Sequence, residues 1–175
     1  YLPPVIREKL TRGLWAHPAD VLDFTRLKGK EVAVLGGAAS AFDAAAVALE
    51  AGAASVHLFV RRKMLAALPV SRVRGYPGAY DNYPSLPDRM RWHQALRYRR
   101  AGSTAPADAI ARAVKHPNFR LHLAAPWLTA RLDGGRIAAS AADGDHRFDF
   151  AIAGTGYFVD LGARPELADL APHIL

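Results

Sequence analysis

"VAVLGGAASAFDAA", residues 32–45, changes character halfway along its length. An apolar run ends at Gly36-Gly37 and an alanine-rich run follows. Glu31 to Leu35 reads as a short buried strand closed by the two glycines. Alanines at 41, 44, 45, 46, 48 and 51, with Leu49, predict a helix over 40–51, because alanine is the strongest helix former. Gly52 stands where a helix C-terminal glycine belongs. Val56 to Val60, rich in β-branched and aromatic residues, predicts a second strand. Strand, glycine turn, helix, strand demands parallel pairing and a right-handed crossover. The fold class expected is therefore α/β.

The turn has the register Gly36-Gly37-Ala38-Ala39-Ser40-Ala41, an alanine-substituted version of G-x-G-x-x-G/A. In that fingerprint the first glycine makes the tight turn, the second lets backbone approach a pyrophosphate, and the third position packs helix on strand. Gly36 and Ala41 meet the outer requirements, while Ala38 puts a methyl group at the tightest point. Gly37 can relax the loop, and Ser40 brings a hydroxyl to a helix start whose free N–H groups attract anions. The candidate phosphate cradle is thus Gly36, Gly37, Ala38, Ala39, Ser40 and Ala41. At the end of the second strand an NAD-selective site carries a carboxylate for the ribose hydroxyls. Here the chain reads Val60-Arg61-Arg62-Lys63. A guanidinium binds a 2′-phosphate through two hydrogen bonds, whereas a carboxylate repels it. Arg61 and Arg62 point to NADP(H).

Around this unit, residues 1–30 read as irregular and proline-containing, with a short helix near Pro18 to Phe24. Residues 63–87 read as loop. Helices are predicted over 88–101, closed by Gly102, and over 106–115, with Thr104 as cap. Strands follow at 120–123, 127–132, 137–141 and 147–153. Turns at Asp133-Gly134-Gly135 and Asp143-Gly144-Asp145 make the last three a β-meander that returns to a final core strand.

Composition sets the outer limits. The 175 residues are 51% hydrophobic and contain no cysteine, and 23 Lys and Arg oppose 16 Asp and Glu for a net charge of +7. Disorder, disulfides, thiolate metal sites and thiol catalysis are excluded, and the charge favours anionic partners. No apolar run reaches the roughly 20 residues of a membrane span. No signal peptide pattern is present at Tyr1, so a cytoplasmic protein is expected. The chain lacks an initiating methionine, which suggests a start inside a longer polypeptide. The seven histidines (17, 57, 93, 116, 122, 146 and 173) show no helix-spaced metal pair. No metal ligand set is expected, and His116 and His122, flanking a strand start, read as surface or capping residues. Asp43, in the first turn of the helix, favours the helix dipole, or touches a ribose or a neighbouring domain. Arginines interleaved with Trp92 and Tyr98 over 89–100 admit nucleic-acid binding. Such a stretch is more often an amphipathic surface helix, and nucleic acid is not the expected partner. Tyr76, Tyr80 and Tyr83 sit in a loop able to fold over a cofactor.

The segment "FTRLKGKEVAVLGGAASAFDAAAVALEAGAASVHLFVRR" resembles the NADPH-binding domain of flavin-dependent monooxygenases, which include flavin-containing monooxygenases, Baeyer–Villiger enzymes and N-hydroxylases. Gly13-Leu-Trp-Ala-His17 is similar to the G-x-x-x-H core of that family's signature, with Thr11 and Val21 at positions that are aromatic in the family. "FDFAIAGTGYFVDL", residues 148–161, is similar to its late A-T-G-Y segment. The resemblance implies a Rossmann-like, FAD/NAD(P)-binding three-layer domain with a parallel sheet and a β-meander. It implies residues 1–30 as a linker with G-x-x-x-H, 31–160 as the NADP(H)-binding domain, and 161–175 as the start of a return to an FAD domain outside this chain. No glycine fingerprint for FAD precedes residue 31. The cofactors implied are NADP(H), bound at 36–41 and by Arg61 and Arg62, and FAD, held by another part of the same polypeptide. Thr155 and Tyr157 would lie where the two cofactor domains meet. The activity implied is hydride delivery from NADPH to flavin and oxygenation of a small-molecule substrate, with no catalytic acid, base or nucleophile assigned in these residues. A non-catalytic NADP(H)-binding module or remnant, marked by Ala38, and a basic nucleic-acid-binding module are the alternatives.

Overall fold

The protein is described here by a computed structural model covering residues 1–66, 79–157, 164–167, 169–170 and 173, with side chains for all of these except 79–80 and 98–101. The elements are α1 (Pro4–Arg7), β1 (Trp15–Ala16), β2 (Glu31–Leu35), α2 (Ala39–Glu50) and β3 (Ser55–Phe59). They continue with α3 (Ala79–Asn82), α4 (Asp88–Ala101), α5 (Ala107–Val114), β4 (Phe119–His122), β5 (Trp127–Asp133), β6 (Arg136–Ala141), β7 (Gly144–Phe148) and β8 (Phe150–Ala153).

Five strands form a sheet in the order β1-β8-β2-β3-β4, and every pairing in it is parallel. Strands β5, β6 and β7 form a separate antiparallel sheet. Strand β8 and all of β2 after Glu31 are buried on both faces and read as continuous apolar runs, as interior parallel strands do. Their alternation divides two cores. Val32, Val34, Val56, Leu58, Phe150 and Ile152 pack with α2 and α5. Ala33, Leu35, Phe59, Ala151 and Ala153 pack with the three-stranded sheet and the N-terminal Ile6 and Leu10. The result is three layers: helices, parallel sheet, meander. Phe42 of α2 is fully buried in the first core; burying such a ring contributes about 1.5–3 kcal/mol. The meander is tied to the sheet by Arg136, whose Nε lies 2.8 Å from Asp149 Oδ1 and whose Nη2 also meets Glu31. Asp149 in turn accepts the Glu31 amide at 2.8 Å.

The α/β class, the β2-α2-β3 unit and the meander match the sequence expectation, with helix and strand ends shifted by a residue. Several local expectations are corrected. The predicted strand 147–153 is two strands in different sheets: β7 closes the meander, and after Asp149 the chain enters β8 beside β2. Phe148, Phe150 and Ile152 alternate in one register across Asp149, so periodicity marked no break. The strand predicted at 120–123 is β4, an edge of the parallel sheet. Residues 1–30 are not wholly irregular, because α1 forms there and β1 pairs with β8. The helix expected near Pro18 is a turn, and a 3-10 helix follows at Phe24–Leu27, capped by Asp23 through the Thr25 amide. Within the expected loop 63–87, α3 and a 3-10 turn at Tyr83–Ser85 form, while Tyr76 and the side chain of Tyr80 lie outside the described residues. Pro106, not Thr104, occupies the N-cap position of α5. The hairpin after β5 is as read, with Gly134 and Gly135 at φ +59 and +77, as a primed two-residue turn requires. The next hairpin turns one residue early, through Ala142-Asp143, since Ala141 pairs with Gly144. Among the described residues no helix is long and apolar enough to cross a membrane.

The sheet and α2 meet through three small residues. A Cβ on Gly36, where φ is +140, would lie 2.1 Å from the Gly154 carbonyl oxygen, and one on Gly154 would lie 2.8 Å from Ala41 Cβ. Overpacking of this kind costs about 1–3 kcal/mol. The Gly154→Ala variant is therefore expected to lower the urea unfolding midpoint without changing the slope, as measured by far-UV circular dichroism.

Candidate functional site

Strand β2 is followed by α2 and β3 on one side of the sheet, and its other neighbour, β8, arrives last in the chain. Strand order thus reverses between β2 and β8, and a crevice opens outside their carboxyl ends, where open α/β sheets bind ligands. Gly36 lies at the end of β2 and Gly154 at the end of β8. All of Gly36, Gly37, Ala38, Ala39 and Ser40 are partly exposed there, and Ala41 is buried. Ala38 is the N-cap of α2, with extended backbone and a carbonyl that accepts from Ala41 N at 3.1 Å and Phe42 N at 3.2 Å. The amides of Gly37, Ala38, Ala39 and Ser40 donate to no carbonyl among the described residues. These unpaired donors form the positive end of the helix dipole.

The arginines adjoin this turn. Leu35 pairs with Phe59 in the β2–β3 register, the Gly36 amide donates to the Phe59 carbonyl at 3.0 Å, and a Cβ on Gly37 would meet Val60 Cγ1 at 2.9 Å. Arg61 and Arg62 follow directly, both exposed. The Arg62 guanidinium lies beside Gly102, where its Nη1 would be 2.7 Å from an added Cβ. Asp43 is engaged by α5: it lies 3.8 Å from Arg112 Nη1, and the same arginine holds Glu50 at 2.7 Å.

Residues far apart in sequence close the other wall. Because β1 pairs with β8, His17 meets the Gly154-Thr155-Gly156-Tyr157 segment. Its Nδ1 accepts the Ala19 amide at 3.1 Å, so Nε2 carries the proton and donates to the Gly156 carbonyl at 3.0 Å. The His17 ring stands edge-on to Tyr157 at 5.2 Å, and Tyr157 is 61% exposed. The His17 amide in turn holds the Asp20 carboxyl below its usual range. Thr155 Oγ1 donates to the Tyr1 carbonyl. The G-x-x-x-H and G-T-G-Y pieces are thus one contact.

A second group of side chains, which sequence spacing did not reveal, lies between the parallel sheet and the meander. His57 Nδ1 is 3.0 Å from His122 Nε2, His122 Nδ1 is 2.5 Å from Asp143 Oδ2, and His146 Nε2 is 3.1 Å from Asp143 Oδ1. The expected surface or capping role of His122 is corrected: its ring stacks on Phe59 at 4.4 Å. The only sequence signal was Asp143-x-x-His146; the other two histidines come from β3 and β4. Burial, reinforced by His122 and His146, pushes His57 down from 6.5 to about 4.

Layering and strand order define the class: a Rossmann-like three-layer α/β domain. No family model matches the chain. Over 173 residues, 99% of the chain, it is 35% identical to the FAD-dependent urate hydroxylase of Xanthomonas campestris pv. campestris, and it spans 37% of that protein's length. The reduced form of the ornithine hydroxylase of Pseudomonas aeruginosa superposes with a TM-score of 0.72 at 20% identity, covering 97% of this chain and 46% of that one. The L-lysine 6-monooxygenase of Pseudomonas syringae gives 0.70 at 18%, covering 98% and 46%. An ornithine N-hydroxylase of Kutzneria sp. 744, with reduced FAD, NADP+ and L-ornithine, gives 0.61 at 19%, covering 91% and 45%. The chain is similar, over nearly its whole length, to the NAD(P)-binding domain of flavin-dependent monooxygenases, as the segments at 13–17, 24–62 and 148–161 led one to expect.

His57 supplies a pH dependence. Its folded value lies below the unfolded 6.5, so the unfolded chain takes up the proton first as pH falls, and stability drops. Thermal unfolding is expected at progressively lower temperature from pH 6.5 toward pH 4, and the fall should be shallower in His57→Phe.

Proposed function

We propose that the chain is the NADPH-binding portion of an FAD-dependent oxidoreductase of monooxygenase type, with the FAD-binding domain contributed by the same polypeptide. The observation that carries this reading is the run of four unpaired amides, Gly37 to Ser40, at the start of α2 in the β2–β8 crevice. It is supported by the 35% identity to a FAD-dependent hydroxylase and by the likeness in fold to flavin-dependent N-hydroxylases.

In this reading the amides of Gly37–Ser40 and the Ser40 hydroxyl hold the pyrophosphate, with Gly36 and Ala41 keeping backbone and helix close enough to present them. Arg61 and Arg62 bind the 2′-phosphate, which selects NADPH over NADH. Ala38 narrows the seat by one methyl group. Thr155, at the end of β8, borders the crevice, and its hydroxyl fixes the loop that bounds it. His17, locked as the Nε2–H tautomer against Gly156, holds Tyr157 at the exposed edge that the flavin domain would cover. The bound dinucleotide supplies a hydride; the residues of this chain orient it and take no proton from it. The substrate is a small molecule that meets the flavin outside these residues.

Titration of the chain with NADPH and NADH, followed calorimetrically, tests the reading. The double variant Arg61→Ala, Arg62→Ala is expected to weaken NADPH by about tenfold to a hundredfold, the value of charged hydrogen bonds, while changing NADH little. Ala38→Gly should tighten both. Equal loss for the two cofactors, or no binding of either, would overturn the proposal.

A further inference from the structure

We propose that His122, Asp143 and His146 form a binding site for one divalent first-row metal ion of the Zn2+ class, with His57 as a positioning residue behind His122. The site is separate from the β2–β8 crevice and lies on the opposite, meander-facing side of β3 and β4.

Three observations carry it. The first is convergence: one ligand atom from each of His122, Asp143 and His146 lies within 4.8 Å of the others. Zinc holds nitrogen and carboxylate oxygen at about 2.0–2.2 Å, so tetrahedral ligand atoms stand roughly 3.4 Å apart by that geometry. The present spacings of 2.5 and 3.1 Å bring Asp143 slightly inside that range. A small rotation of the Asp143 carboxylate, on a hairpin, opens the position without moving either histidine.

The second is the support behind the ligands. An imidazole that binds metal through one nitrogen is oriented by a hydrogen bond from the other. His122 meets this condition: Nδ1 faces Asp143, while Nε2 lies 3.0 Å from His57 Nδ1. Coordination through Nδ1 leaves Nε2–H to donate to His57. Ring packing fixes the remaining freedom, with Phe59 stacked on His122 at 4.4 Å and Phe148 stacked on His146 at 6.1 Å.

The third is access and donor chemistry. The side chains of His122 and His146 are 16% and 17% exposed, and that of Asp143 is 34% exposed. An ion can therefore enter past Asp143 against an apolar wall of Phe59 and Phe148. Two imidazoles and one carboxylate, with no thiolate, suit Zn2+, Co2+, Ni2+ or Cu2+ rather than Cu+ or Ca2+. Three protein ligands also leave a fourth position for water.

The test is equilibrium dialysis of the full, untagged 175-residue chain against ZnCl2, with metal measured by elemental analysis. One equivalent is expected to be retained. Asp143→Asn and His146→Asn should each abolish retention, His57→Phe should weaken it by about tenfold to a hundredfold, and His93→Asn, exposed on α4, should leave it unchanged. Co2+ bound to the wild-type chain should show the intense visible absorption of a four-coordinate ion. It should also broaden the imidazole resonances of His122 and His146 but not of His93, which decides the matter even if a variant fails to fold. No retained metal, retention unaffected by Asp143→Asn and His146→Asn in folded protein, or Co2+ broadening that spares His122 and His146 would each overturn the proposal. NADPH titration of the same samples reports separately on the crevice, so failure of one site is distinguishable from failure of the other.

Discussion

Everything in this fold turns on the absence of side chains where β2, β8 and α2 converge. Gly36, Gly154 and Ala41 approach so closely that a single added carbon would meet a carbonyl oxygen at 2.1 Å or a methyl at 2.8 Å. That contact pulls the start of α2 down onto the carboxyl ends of two central strands. Because helix and sheet touch there, the unpaired amides of the helix start are exposed at the point where strand order reverses. A bulkier residue at any of the three places would lift the helix and remove the feature that gives the crevice its electrostatic sign.

The two faces of the sheet have separate tasks. The helix-facing residues, Val32, Val34, Val56 and Ile152 among them, provide the core that fixes α2. The opposite face carries Ala33, Ala151 and Ala153, small enough to let the meander dock closely, with Leu35 packed among them. Histidine appears on this second face at 57, where the neighbouring layer contributes His146 and Asp143 rather than solvent. A titratable residue in that position is held neutral by burial, and His122 Nε2 meets its Nδ1 at 3.0 Å.

Charge is organised in the same layered way. Arg112 bridges Asp43 and Glu50 across α2 and α5, and Arg136 bridges Glu31 and Asp149 between meander and sheet. Such exposed pairs contribute little each; their effect is to neutralise the acidic groups nearest the sheet. Arg61 has no ion-pair partner among the described residues, so the basic strand end beside the cradle keeps its positive field.

How much of this could be read from the chain itself differs by element. The β2-α2-β3 unit was legible because its signals are local: an apolar run, two glycines, an alanine-rich helix and a β-branched strand. The turn at 36–41 and its closeness to the arginines at 61 and 62 were legible for the same reason, since the turn and the strand end are adjacent in register; their use as a phosphate cradle is a proposal. The division at Asp149 was not, because β7 and β8 are separated by that single residue, the alternation of Phe148, Phe150 and Ile152 runs through it, and only their partners in space assign them to different sheets. The contact of His17 with Gly156 depends on β1 lying beside β8, a pairing two residues long that no periodicity announces. The histidine group is the clearest case. The sequence determined that imidazoles and a carboxylate exist at 57, 122, 143 and 146, but only the stacking of the meander on the parallel sheet decided that they meet. Side-chain chemistry is a property of each position, whereas proximity across some 90 residues is set by how two sheets, each seeking to bury one face, settle against each other.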